Sequence, residues 1–247
     1  MKKFHVDINC DVGEGVGNEE SLLPLISSCN IACGGHTGNY ESMTHVVKLA
    51  KEYNVLVGAH PSYPDKENFG RVTMKVEHND LIDSIKRQIY DLEKILRTNQ
   101  MELHHIKPHG ALYNDLAKSE ALSEVFLRAI DSYKNSVFLY LPPNSIIKRM
   151  AQSRGFRIKN EAFADRSYHQ DLSLVSRKLP NAVLNNPKEV LTHLVKMVKK
   201  DKVLTIDDKE ISIKADTYCL HGDTPNALQI LMYLVQELPK QQIQILK

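Results

Sequence analysis

There is no tryptophan in this 247-residue sequence, and only four cysteines. No apolar run approaches the roughly 18 residues that a membrane-spanning helix requires. The cysteines, at positions 10, 29, 33 and 219, are too few and too unevenly spaced for a disulfide framework, which points to a reduced, cytoplasmic chain. A large charge of either sign is missing too: 32 Lys and Arg stand against 30 Asp and Glu, a net charge of +2. With the basic residues scattered, nothing offers nucleic acid an attractive face. The first ten residues, MKKFHVDINC, carry two lysines but no apolar segment behind them, so no signal peptide is expected. GxxxxGK[ST] is absent, no glycine precedes a lysine, and neither HExxH nor a serine nucleophile elbow occurs. These absences argue against a P-loop nucleotide site, an HExxH zinc peptidase and an α/β-hydrolase triad.

What is present is a regular alternation of strand-like and helix-like segments. Strand patterns occur at 4–10 (FHVDINC), 30–33, 56–60, 103–108, 136–142, 156–163 and 215–222, each closed by turn residues. Helical spacing of apolar residues recurs at 40–53, 79–97, 121–130, 145–153, from Pro187 onward, and at 226–235. In the last of these Leu228, Leu231, Met232 and Val235 are expected to pack inward, and the helix is expected to close the chain. The segment VLTIDDKEISIK (203–214) breaks the rhythm and reads as an inserted β-hairpin. No linker rich in Pro, Gly or Ser interrupts the pattern. The expectation is α/β: one domain over 1–247, a single distorted (β/α) barrel of about seven parallel strands.

Sites in such folds form beyond the carboxyl ends of the strands. Asp11 and Glu14 follow the first strand, His36 the second, and His60 ends the third. Lys107 and His109 end the fourth, Asn144 follows the fifth, Glu161, Asp165 and Arg166 lie at the end of the sixth, and His221 and Asp223 at the seventh. Chance would scatter such residues over both rims. Parity agrees: Asp7, Asn9 and Asp11 share one strand face, and His105, Lys107 and His109 another. Inside a barrel an unpartnered polar group costs about 2–7 kcal/mol, so these groups pair, bind something, or line a wet mouth. His5, His45, His78, His104 and His193 claim no strand end and read as surface or packing residues.

Carboxylates, histidines, a lysine and an arginine in one place suit acid–base chemistry on a carbonyl or amide. Asp11 or Asp7 would activate water, and His36, His60 or His109 would move protons. Lys107 and Arg166 would hold negative charge, while Asn9, Glu14, Glu161, His221 and Asp223 would contact substrate. Asp11, His36 and His60 also make a feasible three-ligand metal set, which keeps open a metal-dependent amidase or deacetylase acting on a carbohydrate or small amide. A non-catalytic subunit that captures a small carboxylate is the other alternative. The run GEGVG lacks the spacing of a phosphate loop, and Glu14 inside it repels phosphate.

In order along the chain, DINCDVGEG, NIACGGHTGN, GAHPSYPD, FGR, IKPHGALYN, FADRSY and CLHGD resemble the LamB/YcsF family over nearly the whole length. That resemblance implies a barrel related to those of glycoside hydrolases and deacetylases. It implies opening of the lactam 5-oxoproline (pyroglutamate) to glutamate with ATP hydrolysis, carried out with partner 5-oxoprolinase subunits B and C. The sequence departs from the family pattern at Thr37 and Asn39, usually Ala and Asp, and at Val72, usually Arg. It also departs at Leu172 and Asn181, usually Gly, and at Ser176, usually Pro. The lost charge at Asn39 is the departure expected to matter most.

Overall fold

The computed structural model describes residues 3–247. In chain order its strands are β1 (Phe4–Val6), β2 (Ile8–Val12), β3 (Ser28–Ala32), β4 (Leu56–His60), β5 (His105–Ile106), β6 (Phe138–Leu141) and β7 (Arg157–Phe163). They are followed by β8 (Lys202–Leu204), β9 (Glu210–Ser212), β10 (Thr217–Cys219) and β11 (Ile243–Ile245). Seven of them, all parallel, close into a barrel in the order β10-β2-β3-β4-β5-β6-β7. The helices are α1 (Glu19–Leu22), α2 (Tyr40–Glu52), α3 (His78–Thr98), α4 (Gly110–Leu116), α5 (Glu120–Ala129), α6 (Ile146–Ser153), α7 (Pro187–Lys200) and α8 (Ala227–Glu237). Among the described residues no helix is long and apolar enough to cross a membrane.

Outward-facing residues of the strands, such as Ile8, Cys10, Val12, Ile31, Val57, Ile106 and Leu139, are buried in the shell between barrel and helices. Val46 and Val47 of α2 and Ile85, Ile89 and Leu92 of α3 cover them from outside. Each large side chain buried there contributes about 1.5–3 kcal/mol, so the apolar shell, rather than the barrel interior, holds the fold together. The four cysteines are free and buried.

Three details differ from the sequence reading. Residues 4–10 are not one strand: β1 pairs with β11 in a separate parallel ribbon, and only from Ile8 does the chain enter the barrel. The two-residue alternation runs unbroken through Asp7, so it carries no mark of the change of partner. Nor does the last helix close the chain, because β11 follows it. In α8, Leu231 faces the core as expected, together with Ala227, Ile230 and Leu234, but Met232 and Val235 are 49% and 37% exposed. That helix is apolar nearly all round, so spacing alone does not select its buried face. The hairpin around 203–214 is present as β8 and β9, antiparallel.

Gly58 sits on the inward face of β4, with His105 across from it. A Cβ at this position would run into the His105 imidazole, whereas hydrogen leaves that ring room to reach across the barrel. Gly58→Ala is therefore expected to cost about 1–3 kcal/mol through overpacking, read from the urea unfolding midpoint. A change below about 0.5 kcal/mol would show that the interior yields more than this packing allows.

Candidate active site

The barrel axis carries polar side chains in layers. At the amino-terminal end Asp7 Oδ1 accepts from Ser28 Oγ (2.8 Å) and Thr217 Oγ1 (3.1 Å), while its Oδ2 accepts from Lys159 Nζ (3.0 Å) and Tyr140 OH (3.3 Å). One layer up, Asn9 Nδ2 donates to Thr217 Oγ1 (2.8 Å), and Asn30 Nδ2 donates to both Asn9 Oδ1 and Asp11 Oδ1 (2.8 Å each). His105 Nε2 donates to Asn30 Oδ1 (2.7 Å), so its Nδ1 accepts from His104 Nδ1–H (3.0 Å). Asp7 thus belongs to the floor, four residues and two layers below Asp11 on the same face, and both its oxygens are engaged there. The site role expected of it does not match this placement: face parity is visible in sequence, depth along the axis is not.

At the carboxyl-terminal rim Asp11, Glu14, His36, His60, Lys107, His109 and Glu161 come together. Lys107, 2% exposed, places Nζ 2.8 Å from Asp11 Oδ1, 3.0 Å from Glu161 Oε1, 3.1 Å from Cys219 Sγ and 3.4 Å from Asn9 Oδ1. Burial alone would lower the pKa of this ammonium, but the negative groups around it, Asp11 foremost, raise it well above the usual lysine value. Burial likewise opposes ionisation of Asp11, yet His60 and Lys107 hold its carboxyl well below the ordinary range. Glu161 is 1% exposed, and its oxygens accept no hydrogen bond of good geometry. Beside it the buried Tyr113 hydroxyl likewise makes no hydrogen bond of good geometry.

Three histidines line the same rim. His60 Nδ1 donates to the Lys107 carbonyl (2.8 Å), and His109 Nε2 donates to the Phe69 carbonyl (3.0 Å). Their other nitrogens, His60 Nε2 and His109 Nδ1, lie 2.9 Å apart. Asp11 Oδ2 is 3.4 Å from the first and Glu14 Oε1 3.5 Å from the second. His36 stacks flat on His109 with ring centroids 3.6 Å apart, and its Nε2 is 3.0 Å from Glu14 Oε1. Burial lowers the pKa of both His36 and His109, keeping the rings neutral near pH 7. The metal set expected from sequence is divided, with His60 beside Asp11 and His36 beside Glu14. Donor atoms close enough to share an ion occur as Glu14, His36 and His109, and as Asp11, Cys219 and His221.

The remaining candidates take other positions. Arg166 is buried and spends Nε on the Ala182 carbonyl (3.2 Å) and Nη2 on that of Val175 (2.6 Å). It pins the loop after β7 to itself, so the anion-holding role expected of it does not match its bonds. His221 keeps Nδ1 3.0 Å from Asp165 Oδ1 and stacks on Phe163. Asp223 lies at the outer edge, clamped by Arg71 Nη2 (2.6 Å) and Arg177 Nη1 (3.2 Å). Asn39 is the N-cap of α2, accepting from Ser42 N (2.8 Å). Asn and Asp cap alike, so its lost charge does not reach the site.

Sequence reasoning missed Cys219, Asn30, Tyr113, Arg71 and Arg177 as neighbours of the rim. The parity of CLHGD, which puts Cys219 on the face of His221, is a signal that could have found the first. The arginines lie in loops where no period applies.

Asp165 is fully buried, and the His221 imidazole, the Thr224 hydroxyl and the His221 amide bring its pKa from 3.8 down to about 2 against the opposing effect of burial. A depressed carboxylate stabilises the fold above its unfolded pKa, and that contribution disappears as pH falls through the folded value. The window is therefore about pH 4 to about pH 2, and the magnitude about 2–3 kcal/mol. Urea unfolding of the wild type and Asp165→Asn should show a stability gap larger at neutral pH than near pH 2 by about that amount. A gap independent of pH would contradict the assignment.

With this geometry in hand, the likeness to known proteins becomes informative. A 5-oxoprolinase subunit of Haemophilus influenzae (strain PittEE) is 41% identical over 245 residues, covering 99% of each chain. The protein of the same name from Staphylococcus haemolyticus (strain JCSC1435) is 38% identical over 247 residues, covering 98% of this chain and 99% of its own. Among solved structures, the lactam utilization protein of Thermus thermophilus superposes with a TM-score of 0.92 at 31% identity, covering 98% of this chain and 99% of that one. The LamB/YcsF family profile matches residues 6–247, and the chain belongs to the LamB/YcsF family.

Proposed function

We propose that this chain is the lactam-binding component of an ATP-dependent 5-oxoprolinase, opening 5-oxo-L-proline to L-glutamate together with partner subunits B and C. The relatives that carry the 5-oxoprolinase name support the reaction class. The structural observation that carries it is Lys107, a buried ammonium between Asp11 and Glu161 at the barrel rim.

A lactam presents a carbonyl oxygen on which charge grows as water attacks, and a ring nitrogen that must gain a proton as the C–N bond breaks. Lys107 supplies a fixed positive charge to hold that oxygen, in a dry setting where such a charge acts strongly. Glu161 has an oxygen free to take the proton from the attacking water, whereas Asp11 is occupied by Asn30, Lys107 and His60. His221, oriented through Nδ1 by Asp165, delivers a proton to the leaving nitrogen in the manner of a carboxylate–imidazole pair. His60 and His109 turn their remaining nitrogens to each other at 2.9 Å, which makes them holders rather than relays.

The reading places ATP outside this rim. The GEGVG turn places Glu14 against His36, and a carboxylate there opposes phosphate. The nucleotide then belongs to the partner subunits, and its hydrolysis supplies the driving force for opening an unstrained five-membered ring.

Mixing the chain with its partner subunits, pyroglutamate and ATP should release glutamate, while the chain alone should release little or none. Glu161→Gln should lower turnover by more than about 100-fold with pyroglutamate binding retained. Full turnover by the chain alone, or an unchanged rate in Glu161→Gln, would overturn this reading.

A further inference from the structure

Three loops meet over the mouth of the barrel at Asp223. Arg71 comes from the stretch between β4 and α3, Arg177 from that between β7 and α7, and Asp223 from the turn between β10 and α8. Asp223 Oδ2 accepts from Arg71 Nη2 (2.6 Å) and Arg177 Nη1 (3.2 Å), and its Oδ1 accepts from Arg177 Nη1 (3.4 Å). In the closed sheet β4 stands three strands from β10 in one direction and four in the other, so the bridge crosses the mouth. Two guanidinium groups and one carboxylate leave a single positive charge in excess. Each guanidinium has five N–H donors, and among the described residues neither donates to any acceptor but Asp223.

Both ends of the bridge are held in place by the fold. Phe69 adopts φ +56°, a conformation that a bulky side chain rarely takes, and its ring packs edge-on to His36 (5.2 Å) and His109 (5.7 Å) at the rim. The Arg71 guanidinium lies over that same ring, 4.9 Å from its centre. The turn is fixed by Gly70 N on the Asp65 carbonyl (2.8 Å), Arg71 N on the Asn68 carbonyl (3.0 Å) and Ala111 N on the Gly70 carbonyl (2.9 Å). Strain of the kind seen at Phe69 persists where the surrounding structure over-determines it, and it gathers at ligand clamps. At the other end Thr224 N closes a turn on the His221 carbonyl (3.2 Å), and Asn18 Nδ2 donates to the Gly222 carbonyl (3.1 Å). Asp223 sits inside that turn.

We infer that Arg71 and Arg177 bind the carboxylate of the lactam substrate and so set a preference for 5-oxoproline over uncharged lactams. The inference rests on the lactam reading above and deepens it. Connectivity of the ring places the group: the carbon that bears the carboxylate is bonded to the ring nitrogen, and the carbonyl carbon is bonded to the same nitrogen on its other side. With the carbonyl oxygen on Lys107 and the nitrogen toward His221, the carboxylate falls beside His221, two residues from Asp223. Arg166 does not serve there, because loop carbonyls take its Nε and Nη2. The side chains of Arg71 and Arg177 are 43% and 30% exposed, open enough to receive a ligand, and planar guanidinium forks suit a carboxylate. The one positive charge in excess at the bridge matches the one negative charge that the substrate brings.

The test compares lactams with and without that charge. Binding of 5-oxo-L-proline, its carboxamide and 2-pyrrolidinone to the full-length chain is followed by ligand-observed NMR titration and calorimetry. The expected result is a preference of about 10-fold or more for 5-oxo-L-proline over both neutral lactams, the size of one hydrogen bond to a charged group. Arg71→Gln and Arg177→Gln should each weaken 5-oxo-L-proline by about 10-fold and leave the neutral lactams within about 2-fold, with Arg71→Lys recovering part of the loss. Thermal unfolding shows which variants are folded, and the three-ligand comparison on the wild type decides the matter where a variant is not. Folded variants that weaken all three ligands alike would show that the bridge only ties the loops together, which overturns the inference. Equal wild-type affinity for the acid and its carboxamide, or folded variants that bind 5-oxo-L-proline as the wild type does, would overturn it as well. In each of those cases lactams still bind and the lactam reading stands, whereas a wild type that binds none of the three overturns both.

Discussion

A lysine ammonium buried on the axis of a barrel is the constraint around which this molecule is arranged. Lys107 is 2% exposed, and its charge persists only because Asp11 and Glu161 stand within 3.0 Å. The arrangement is reciprocal: Asp11 remains ionised because Lys107 and His60 are there. Removing one partner of such a buried pair strands the other charge, at a cost of about 3–5 kcal/mol. Asp11 lies in β2, Glu161 in β7 and Lys107 just after β5, so the pairing depends on the whole closed sheet.

Beneath the rim, the axis is built to keep those strands in place without an apolar interior. Asn9, Asn30 and His105 hand hydrogen bonds from the floor at Asp7 to the rim at Asp11, leaving few polar atoms unmatched. A polar interior is tolerated because the apolar shell outside the strands supplies the burial. At the mouth the order reverses. Glu161 Oε2, Tyr113 OH and His36 Nδ1 are buried and lack hydrogen-bond partners of good geometry, and all three belong to residues at or beside the rim. Polar capacity is spent on structure below and left available above.

Much of this was legible in the sequence, for definite reasons. His60, Lys107, His109 and Asp11 end strands whose boundaries are marked by turn residues, and the rim of a parallel barrel follows from those boundaries alone. The inserted hairpin and the count of about seven strands follow from alternation in the same way, whereas closure of the sheet is what the family resemblance implies. Illegible were the matters that depend on distance across the barrel. Asp7 and Asp11 look equivalent by parity but lie in different layers, and Arg166 looks like an anion anchor although loop carbonyls take its donors. Leu172 and Asn181 are instructive too. Both have positive φ, +66° and +59°, at positions where the family resemblance implies glycine. The departure there is a backbone cost of roughly 1–2 kcal/mol for Leu172 and less for asparagine, rather than a change in the site.

The central claim, a permanently charged Lys107 held by two carboxylates, is tested most directly by its titration. Lysine Nζ resonances of ¹⁵N-labelled protein, with the Lys107 signal identified by its loss in Lys107→Met, report the protonation state as pH is raised. The expected result is an ammonium signal that persists past the pH at which exposed lysines lose theirs, about 10.4. A Lys107 that is already neutral near pH 8 would contradict it.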